Sequence, residues 1–330
     1  MFDERWPEEA EELAEALTAV LAKHCPPDTL RGMGTHPADT TVVEQLEQLD
    51  RALAEFGLWD LPADPYLLVR ATVTLGAHLV PTPFVSALPA QLILGEAGVA
   101  NGIDRPMVPT GLSRVVVSTG IDTAGIADAP TLGRQTAAGE SVVLIESAVG
   151  AVNIDADVDA LRAWGFLLEA ARLVGAAQAL LRYGVGYVSD RRQFGVPVGS
   201  FQGVSHPLAE AATAVQAADL LTRHAAYLVA SEATLPMSAA VMAAAKARSA
   251  SRHAANAVHQ ALGGYGFTIE ADCQLYSRRI RAWSAAMPDP GPWLANLARQ
   301  LADPATRGSV TDLWQFDHGF TLPRWAVEST

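Results

Sequence analysis

The spacing of apolar residues predicts that the first hundred residues are mostly helical. Residues 8–24 and 41–56 carry apolar side chains at intervals of three and four, which is the pattern of a helix with one buried face. Residues 66–98 continue in the same way, with interruptions at Pro81 and Pro83. The sequence therefore predicts a small helical bundle at this end of the chain.

The middle of the chain has a different pattern. Runs rich in β-branched residues at 115–118 and 141–145 are separated by turns that contain glycine and threonine, and residues 153–155 close the segment. A stretch of roughly fifty residues is enough for a modest sheet. We predict a short β unit here.

From residue 158 the helical pattern returns. Long helices are predicted at 158–189, 202–233 and 237–262, with few glycines or prolines inside them, which is typical of a helix bundle. The tail after Pro304 places two tryptophans and two phenylalanines among polar residues, so it is expected to pack on another surface. The chain is expected to be mainly α with a small β unit, in three domains: an N-terminal helical domain (1–105), a short middle β domain (106–156) and a C-terminal four-helix-type bundle with its tail (157–330).

Charge and composition narrow the possible partners. The 330 residues carry a net charge of −13, so nucleic acid and anionic membrane are not expected as main partners. No apolar run approaches the ~20 residues of a membrane span, and the acidic first residues do not resemble a signal peptide, so a cytoplasmic protein is expected. Cys25 and Cys273 are far apart and belong to no CxxC pair, so neither a disulfide nor a metal site is predicted.

The most informative residues form three short elements in the C-terminal half. They are Arg191-Arg192-Gln193-Phe194-Gly195, Phe201-Gln202 and Gln260-Ala261-Leu262-Gly263-Gly264. An arginine pair or a glycine pair alone would indicate only a solvated helix end or a helix stop. In this order, between long alanine-rich helices, the elements resemble the C-terminal half of an acyl-CoA dehydrogenase.

The resemblance implies that these elements hold the ADP end of FAD across a subunit interface. Arg191 offers several donors suited to a pyrophosphate, and Phe194 is expected to pack beside the adenine. Gly263 and Gly264 permit positive φ and let backbone amides approach the diphosphate closely. Three glutamines offer hydrogen bonds to phosphate, ribose or adenine without adding charge: Gln193, Gln202 and Gln260.

The sequence departs from the family where the catalytic base is expected. Family enzymes remove the substrate α-proton with a glutamate shortly after the Gln-x-x-Gly-Gly element, and that position falls at 285–287, which reads Ala-Ala-Met. A few relatives place the base at the position of Gly165. Glu169 lies one helical turn further on, and Asp289 stands between two prolines, an unsuitable mount for a base. No catalytic residue is therefore assigned to this chain.

Two further differences concern substrate and flavin. A family arginine that helps to hold the CoA thioester corresponds to Phe166, and its nearby aspartate corresponds to Ala163. The β segment is truncated relative to the family and lacks the stretches that cover the flavin ring. The chain is expected to bind the ADP end of FAD without enclosing the isoalloxazine.

A site divided between unlike subunits reconciles these features. The chain is similar to the shortened, base-lacking subunits of actinobacterial α2β2 acyl-CoA dehydrogenases that act on steroid side-chain CoA thioesters. This resemblance implies a non-catalytic, FAD-binding subunit, a catalytic partner that holds most of the acyl-CoA, and an electron-transfer flavoprotein that serves the complex. Two alternatives stay open: a purely structural subunit without cofactor contact, and a self-sufficient homotetramer that uses Glu169 or Asp289 as its base.

Overall fold

The computed structural model describes residues 4–36, 39–130, 133–145, 150–232 and 235–303. By compactness the chain divides into two units, Met1–Pro288 and Asp289–Thr330. The aromatic tail after Pro304, which is predicted to pack on another surface, lies outside the described residues.

Five helices form the described part of the chain between residues 4 and 94. They are α1 (Glu8–His24), α2 (Pro27–Thr35), α3 (Thr40–Glu55), α4 (Pro65–Ala77) and α5 (Phe84–Leu94). The helices predicted at this end are confirmed, and the side chain of Asp39 caps α3 by accepting a hydrogen bond from the backbone N–H of Thr41. The helix α2 was not predicted, because its two glycines lower its helix propensity.

Seven strands follow in the described residues from 99 to 154. They are β1 (Val99–Asn101), β2 (Met107–Pro109), β3 (Arg114–Ser118), β4 (Ala124–Asp128), β5 (Arg134–Gln135), β6 (Ser141–Leu144) and β7 (Val152–Ile154). One sheet has the order β1-β3-β4-β7, with β1 and β3 parallel, and a second sheet has the antiparallel order β2-β6-β5. The strand β1 begins before residue 106, where the β domain was expected to start, because three residues are too few to show a strand pattern.

The strand β3 is apolar at consecutive positions because both of its faces are covered. Val115 and Val117 point towards Val108 and Val143 of the second sheet, whereas Val116 packs with residues of α5 and of the segment that follows the β unit. Successive side chains of a strand point to opposite faces, so a strand covered on both faces has no polar side. The short β unit is therefore packed on both sides.

The described residues from 158 to 286 form a helical bundle, as predicted. It consists of α6 (Val158–Asp190), a hairpin of β8 (Arg192–Gln193) and β9 (Val196–Pro197), α7 (Gln202–Glu232), α8 (Met237–Leu262) and α9 (Cys273–Ala286). The unit Asp289–Thr330 contains α10 (Gly291–Ala302). Within the first unit, α6 packs against α4, α7, α8 and α9. By length and composition α6 is apolar enough to cross a membrane, but 94% of its most apolar stretch is buried inside the fold. It is the central helix of the core.

The crossing of α4 and α6 depends on two glycines. A Cβ atom at Gly175 would lie 1.9 Å from the backbone oxygen of Val73, and one at Gly76 would lie 2.1 Å from the backbone oxygen of Arg172. The two helices therefore touch backbone to backbone. No side chain fits between them without a shift of one helix.

We expect Gly175→Ala to lower the free energy of unfolding by about 1–3 kcal/mol, because the added methyl group forces the helices apart. Gly186→Ala on the same helix is the matched control, since its Cβ would meet no heavy atom within 4 Å. That change should stabilise the helix by up to ~1 kcal/mol. Urea unfolding of both variants measures the difference, and equal stabilities would contradict the close crossing.

Candidate functional site

A cavity of about 630 Å³ lies between the β unit and the helices of the first unit. It is lined by residues of α3, β2, β6, α6 and α9, and we call it the central cavity. Its volume falls within the ~300–1,000 Å³ that small-molecule sites occupy. Both Trp283 and Ala286 of α9 line it. The stretch in which the resemblance places a catalytic base therefore borders the central cavity.

Glu169 is the carboxylate of α6 that borders this cavity, and two arginines hold it. Arg105 Nη1 donates to Glu169 Oε1 at 2.7 Å, and Arg172 Nε donates to Oε2 at 3.0 Å. Arg172 Nη2 lies 2.5 Å from the same oxygen. The glutamate is fully buried and both arginines are nearly so. Each carboxylate oxygen is thus bound to a guanidinium group, and we call this group the ion triad.

The charges of the ion triad determine the ionisation of Glu169. Burial raises the pKa of Glu169, but the neighbouring guanidinium groups of Arg172 and Arg105 lower it further, so that its pKa lies below the usual range. A general base works best with a pKa near the working pH. The two arginines thus hold Glu169 as an anion in the core, which its position one helical turn after Gly165 in the sequence does not reveal.

A second polar group extends the triad towards α9. The guanidinium carbon of Arg172 lies 4.3 Å from the ring centre of Trp283. Trp283 Nε1 donates to Glu140 Oε2 at 2.9 Å, and Arg279 Nε lies 3.6 Å from Glu140 Oε1. The acidic and basic groups on this side of the central cavity therefore neutralise one another.

The other two candidate positions for a base, Gly165 and Asp289, are constrained by their neighbours. A Cβ atom at Gly165 would lie 3.1 Å from Asn101 Nδ2 and 3.5 Å from Arg105 Nη2, which leaves little space for a longer side chain. In the separate unit Asp289–Thr330, the carboxylate of Asp289 accepts a hydrogen bond from the backbone N–H of Gly291 at 3.3 Å. The carboxylate of Asp289 thus binds a backbone N–H in the first turn of α10.

Sequence reasoning missed several residues of the central cavity. Arg105 lies 64 residues from Glu169 and carries no local signal. Arg172 follows Glu169 by three positions in an otherwise apolar helix, which is a signal for a paired charge. Asp50 of α3 also lines the cavity, and burial raises its pKa.

The seven residues predicted to bind FAD lie on three neighbouring segments, and all of them are exposed. Their positions are the β8–β9 hairpin and the residue before it, the first residue of α7 and the last turn of α8 with its stop: Arg191, Gln193, Phe194, Gln202, Gln260, Gly263 and Gly264. Two aromatic contacts hold these segments. Tyr187 near the end of α6 stacks on Tyr265 after α8, with ring centres 5.5 Å apart, and Phe194 meets Phe201 edge to face at 6.2 Å.

The local backbone is open at the predicted phosphate contacts. Gly263 has φ +60°, as the predicted helix stop requires, and a Cβ at Gly264 would meet nothing within 4 Å. Phe194 has φ +54°, which is uncommon for a residue with a side chain, and it is 93% exposed. Gln193 donates its amide to the backbone oxygen of Arg192 at 2.7 Å. Exposed donors, an exposed aromatic ring and open backbone amides fit the ADP part of a dinucleotide.

Residues 278–281 include three arginines, one of which lies in the core while the other two line a second cavity. Arg279 is 1% exposed, and burial lowers its pKa. Arg278 and Arg281 line a cavity of about 1000 Å³ with Arg134 of β5, and we call it the arginine cavity. Gln260 borders the arginine cavity as well. In the described part of the chain, no group of three or more His, Cys, Asp or Glu residues has the arrangement of a metal site.

Comparison with known proteins gives the class of the molecule. Residues 164–286 match the family described as acyl-CoA dehydrogenase, C-terminal domain. The chain is 29% identical over 320 residues to acyl-CoA dehydrogenase IpdE2 of Mycolicibacterium smegmatis, covering 89% of this chain and 99% of that protein. It is 37% identical over 126 residues to acyl-CoA dehydrogenase FadE34 of Mycobacterium tuberculosis, covering 38% of this chain but only 18% of that longer protein.

Solved structures show the same fold over most of the chain. The steroid acyl-CoA dehydrogenase structure Tcur3481-Tcur3483 (G363A variant) superposes with a TM-score of 0.73 at 21% identity, covering 90% of this chain and 99% of its own. The ChsE4-ChsE5 complex from Mycobacterium tuberculosis gives a TM-score of 0.72 at 17% identity, covering 92% and 99%. Residues 164–286 thus match an acyl-CoA dehydrogenase C-terminal domain, and most of the chain has the fold of acyl-CoA dehydrogenases.

We expect Glu169→Gln to lower the free energy of unfolding by about 3–5 kcal/mol, because it leaves two buried arginines without their anion. The matched control is Glu96→Gln, which breaks a pair with Arg114 in which both side chains are 43% exposed. This control should cost less than about 1 kcal/mol. Denaturant unfolding at neutral pH compares the two variants, and equal losses would contradict a structural role for the triad.

The same carboxylate predicts acid sensitivity. Because its folded-state pKa lies below that of the unfolded chain, its stabilisation is complete above about pH 4.3 and is lost as the pH falls through the folded-state value. The Glu169→Gln variant should lack this part of the acid-dependent loss.

Proposed function

We propose that the chain is a non-catalytic subunit of a heteromeric, FAD-dependent acyl-CoA dehydrogenase. The observation that carries the proposal is the ion triad, which commits Glu169 to Arg105 and Arg172. At 285–287 the chain has no carboxylate, although this stretch borders the central cavity through Ala286. A family member with this arrangement needs its base from another chain.

The exposed residues around α6, α7 and α8 support a role in holding the cofactor. Arg191 would donate to the diphosphate, and the backbone amides near Gly264 would approach it, since nothing lies within 4 Å of the Cβ position there. Gln202 and Gln260 would bind the ribose or adenine, with Phe194 beside them. When bound, FAD supplies the hydride acceptor for the α,β-dehydrogenation of an acyl-CoA thioester. This chain would bind and orient the cofactor from its ADP end.

The partner subunit would supply what this chain lacks. It would carry the glutamate that removes the α-proton, the pocket for the flavin ring and most of the acyl-CoA site, in an α2β2 assembly. An electron-transfer flavoprotein would accept the electrons of the complex. The similarity to Tcur3481-Tcur3483 and to the ChsE4-ChsE5 complex, both with two named components, supports a heteromer. The first of these is a steroid acyl-CoA dehydrogenase, which supports a steroid side-chain CoA ester as substrate.

Expression with and without a catalytic partner tests the proposal. We expect the chain alone to purify with little FAD and no acyl-CoA dehydrogenase activity, because it has neither a base nor a cover for the flavin ring. Co-expression with a full-length partner should restore both, as measured by flavin absorbance and dye reduction with an acyl-CoA substrate. A yellow, active homo-oligomer of this chain alone would favour the self-sufficient enzyme instead.

We expect Arg191→Ala in the co-expressed complex to release FAD on dilution while the complex stays assembled. Loss of a hydrogen bond to a charged group costs about 1.5–3 kcal/mol, or roughly ten- to a hundredfold in affinity. Arg192→Ala is the matched control. Adjacent strand residues point to opposite sides, and Arg192 is the first residue of β8, so the loss should be smaller. Equal FAD retention in the wild type and Arg191→Ala would favour a purely structural subunit.

A further inference from the structure

We propose that the turn between β5 and β6 is a gate between the central cavity and the arginine cavity, and that Glu140 is the latch that holds this turn on α9. We call residues 136–140 the gate turn. The proposal concerns the passage between two cavities and does not depend on where FAD is held, so it goes beyond the proposed function.

Only a thin wall separates the two cavities, which have volumes of about 630 and 1000 Å³. Five residues line both cavities and so lie between them. Four belong to the three-stranded sheet or the gate turn and one belongs to α9: Met107, Gln135, Thr136, Val142 and Ala282. Displacement of the gate turn together with β5 would therefore join the two cavities into one continuous space.

The gate turn is weakly attached to the sheet that carries it. The strand β5 has two residues, both exposed, and it lies at the edge of its sheet beside β6. Inside the turn, the backbone N–H of Thr136 donates to the backbone oxygen of Glu140 at 2.9 Å, and that of Gly139 donates to the backbone oxygen of Thr136 at 2.9 Å. A segment held by so short a ladder opens locally at a lower free-energy cost than the core of the fold. The turn can therefore move as a unit while β6 stays in place.

Two helices outside the sheet keep the gate turn in position. Gly139 has φ +80°, and a Cβ atom there would lie 2.1 Å from the backbone oxygen of Met33, so the turn packs backbone to backbone on α2. The two carboxylate oxygens of Glu140 accept from Trp283 Nε1 of α9 at 2.9 and 3.1 Å. Closure of the wall thus depends on these contacts with α2 and α9.

The latch leaves one charged donor unsatisfied in this closed position. Arg279 is 1% exposed and its Nε lies 3.6 Å from Glu140 Oε1, yet this nitrogen has no hydrogen-bond partner among the described residues. A buried donor of a charged group is destabilised when it makes no hydrogen bond. Opening of the turn would admit water to this nitrogen and remove that cost, so the closed position is not fixed by its polar contacts.

Trp283 joins the latch to the ion triad through two separate contacts. The guanidinium carbon of Arg172 lies 4.3 Å from its ring centre, whereas its Nε1 donates to Glu140. One contact uses the face of the ring and the other uses the N–H group. Trp283→Phe therefore removes the latch contact and keeps an aromatic ring for Arg172.

Hydrogen exchange of backbone amides in the full chain, followed by mass spectrometry, measures opening of the gate turn. We expect Glu140→Gln and Trp283→Phe to raise exchange in residues 134–144 by about tenfold or more, because each weakens or removes a hydrogen bond to a charged carboxylate. The amides of α8 should keep their rates. Because Trp283→Phe leaves the anion beside Arg279, it tests the latch even if Glu140→Gln fails to fold.

Glu96→Gln is the matched control in the same β unit. It removes the same charge from a pair with Arg114 in which both side chains are 43% exposed, and it has no contact with the gate turn. Exchange in residues 134–144 should stay at the wild-type rate in this variant.

Fluorine NMR of the chain labelled with 5-fluorotryptophan shows whether opening joins the cavities. Trp283 lines the central cavity and is 2% exposed, and its resonance is the one absent from Trp283→Phe. We expect the change in its chemical shift between H2O and D2O to increase in Glu140→Gln, because water then reaches the ring from the side of the arginine cavity. Glu140→Asp, which keeps a negative charge for Arg279 on a shorter side chain, replaces Glu140→Gln if that variant does not fold.

Three results would overturn the proposal. The first is exchange in residues 134–144 that stays at the wild-type rate in Trp283→Phe. The second is an equal rise in α8, which would show loosening of the whole fold instead of a gate. The third is faster exchange of the turn with no change in the solvent exposure of Trp283, since the turn would then open without joining the cavities. None of these results bears on FAD retention by the co-expressed complex.

Discussion

The ion triad is the interaction on which the architecture around the central cavity depends. Arg105 lies between β1 and β2, and Glu169 and Arg172 lie in the middle of α6. The triad therefore fastens the β unit to the central helix at a point without solvent. A buried ion pair adds little net stability compared with an apolar contact, but loss of one partner is costly because it strands a charge. The arrangement fixes geometry more than it increases stability.

The polar groups around the central cavity differ from those at the ends of α6 and α8 in how far they are already bound. Around the central cavity, the charges of Glu169 and Glu140 are already bound to arginines and to Trp283. At the ends of α6 and α8, polar and aromatic side chains project outwards, with Phe194 93% exposed. The polar side chains at these helix ends are therefore exposed and can reach a ligand or another chain. That distribution suits a subunit that completes the site of a neighbour.

Much of the fold followed from the sequence, because the long helices have strong periodicity and clear stops. The helix predicted at 237–262 is α8 with the same bounds, and Gly263 has the positive φ that its position requires. The ion triad could not be predicted, since Arg105 is distant in sequence and its partner is defined only by packing. The short hairpin that contains Arg192 was also not predicted, because strands of two residues carry no pattern in the sequence.

The flavin content of the purified heteromer tests the division of labour most directly. If each FAD is held by one chain of each kind, the complex contains one FAD for every pair of unlike chains, and this number falls when the hairpin contacts are removed. Absorbance of the released flavin, divided by the protein concentration from amino-acid analysis, measures the ratio. A ratio of one would agree with a shared site. A ratio of two would contradict it, because each chain would then hold a flavin of its own.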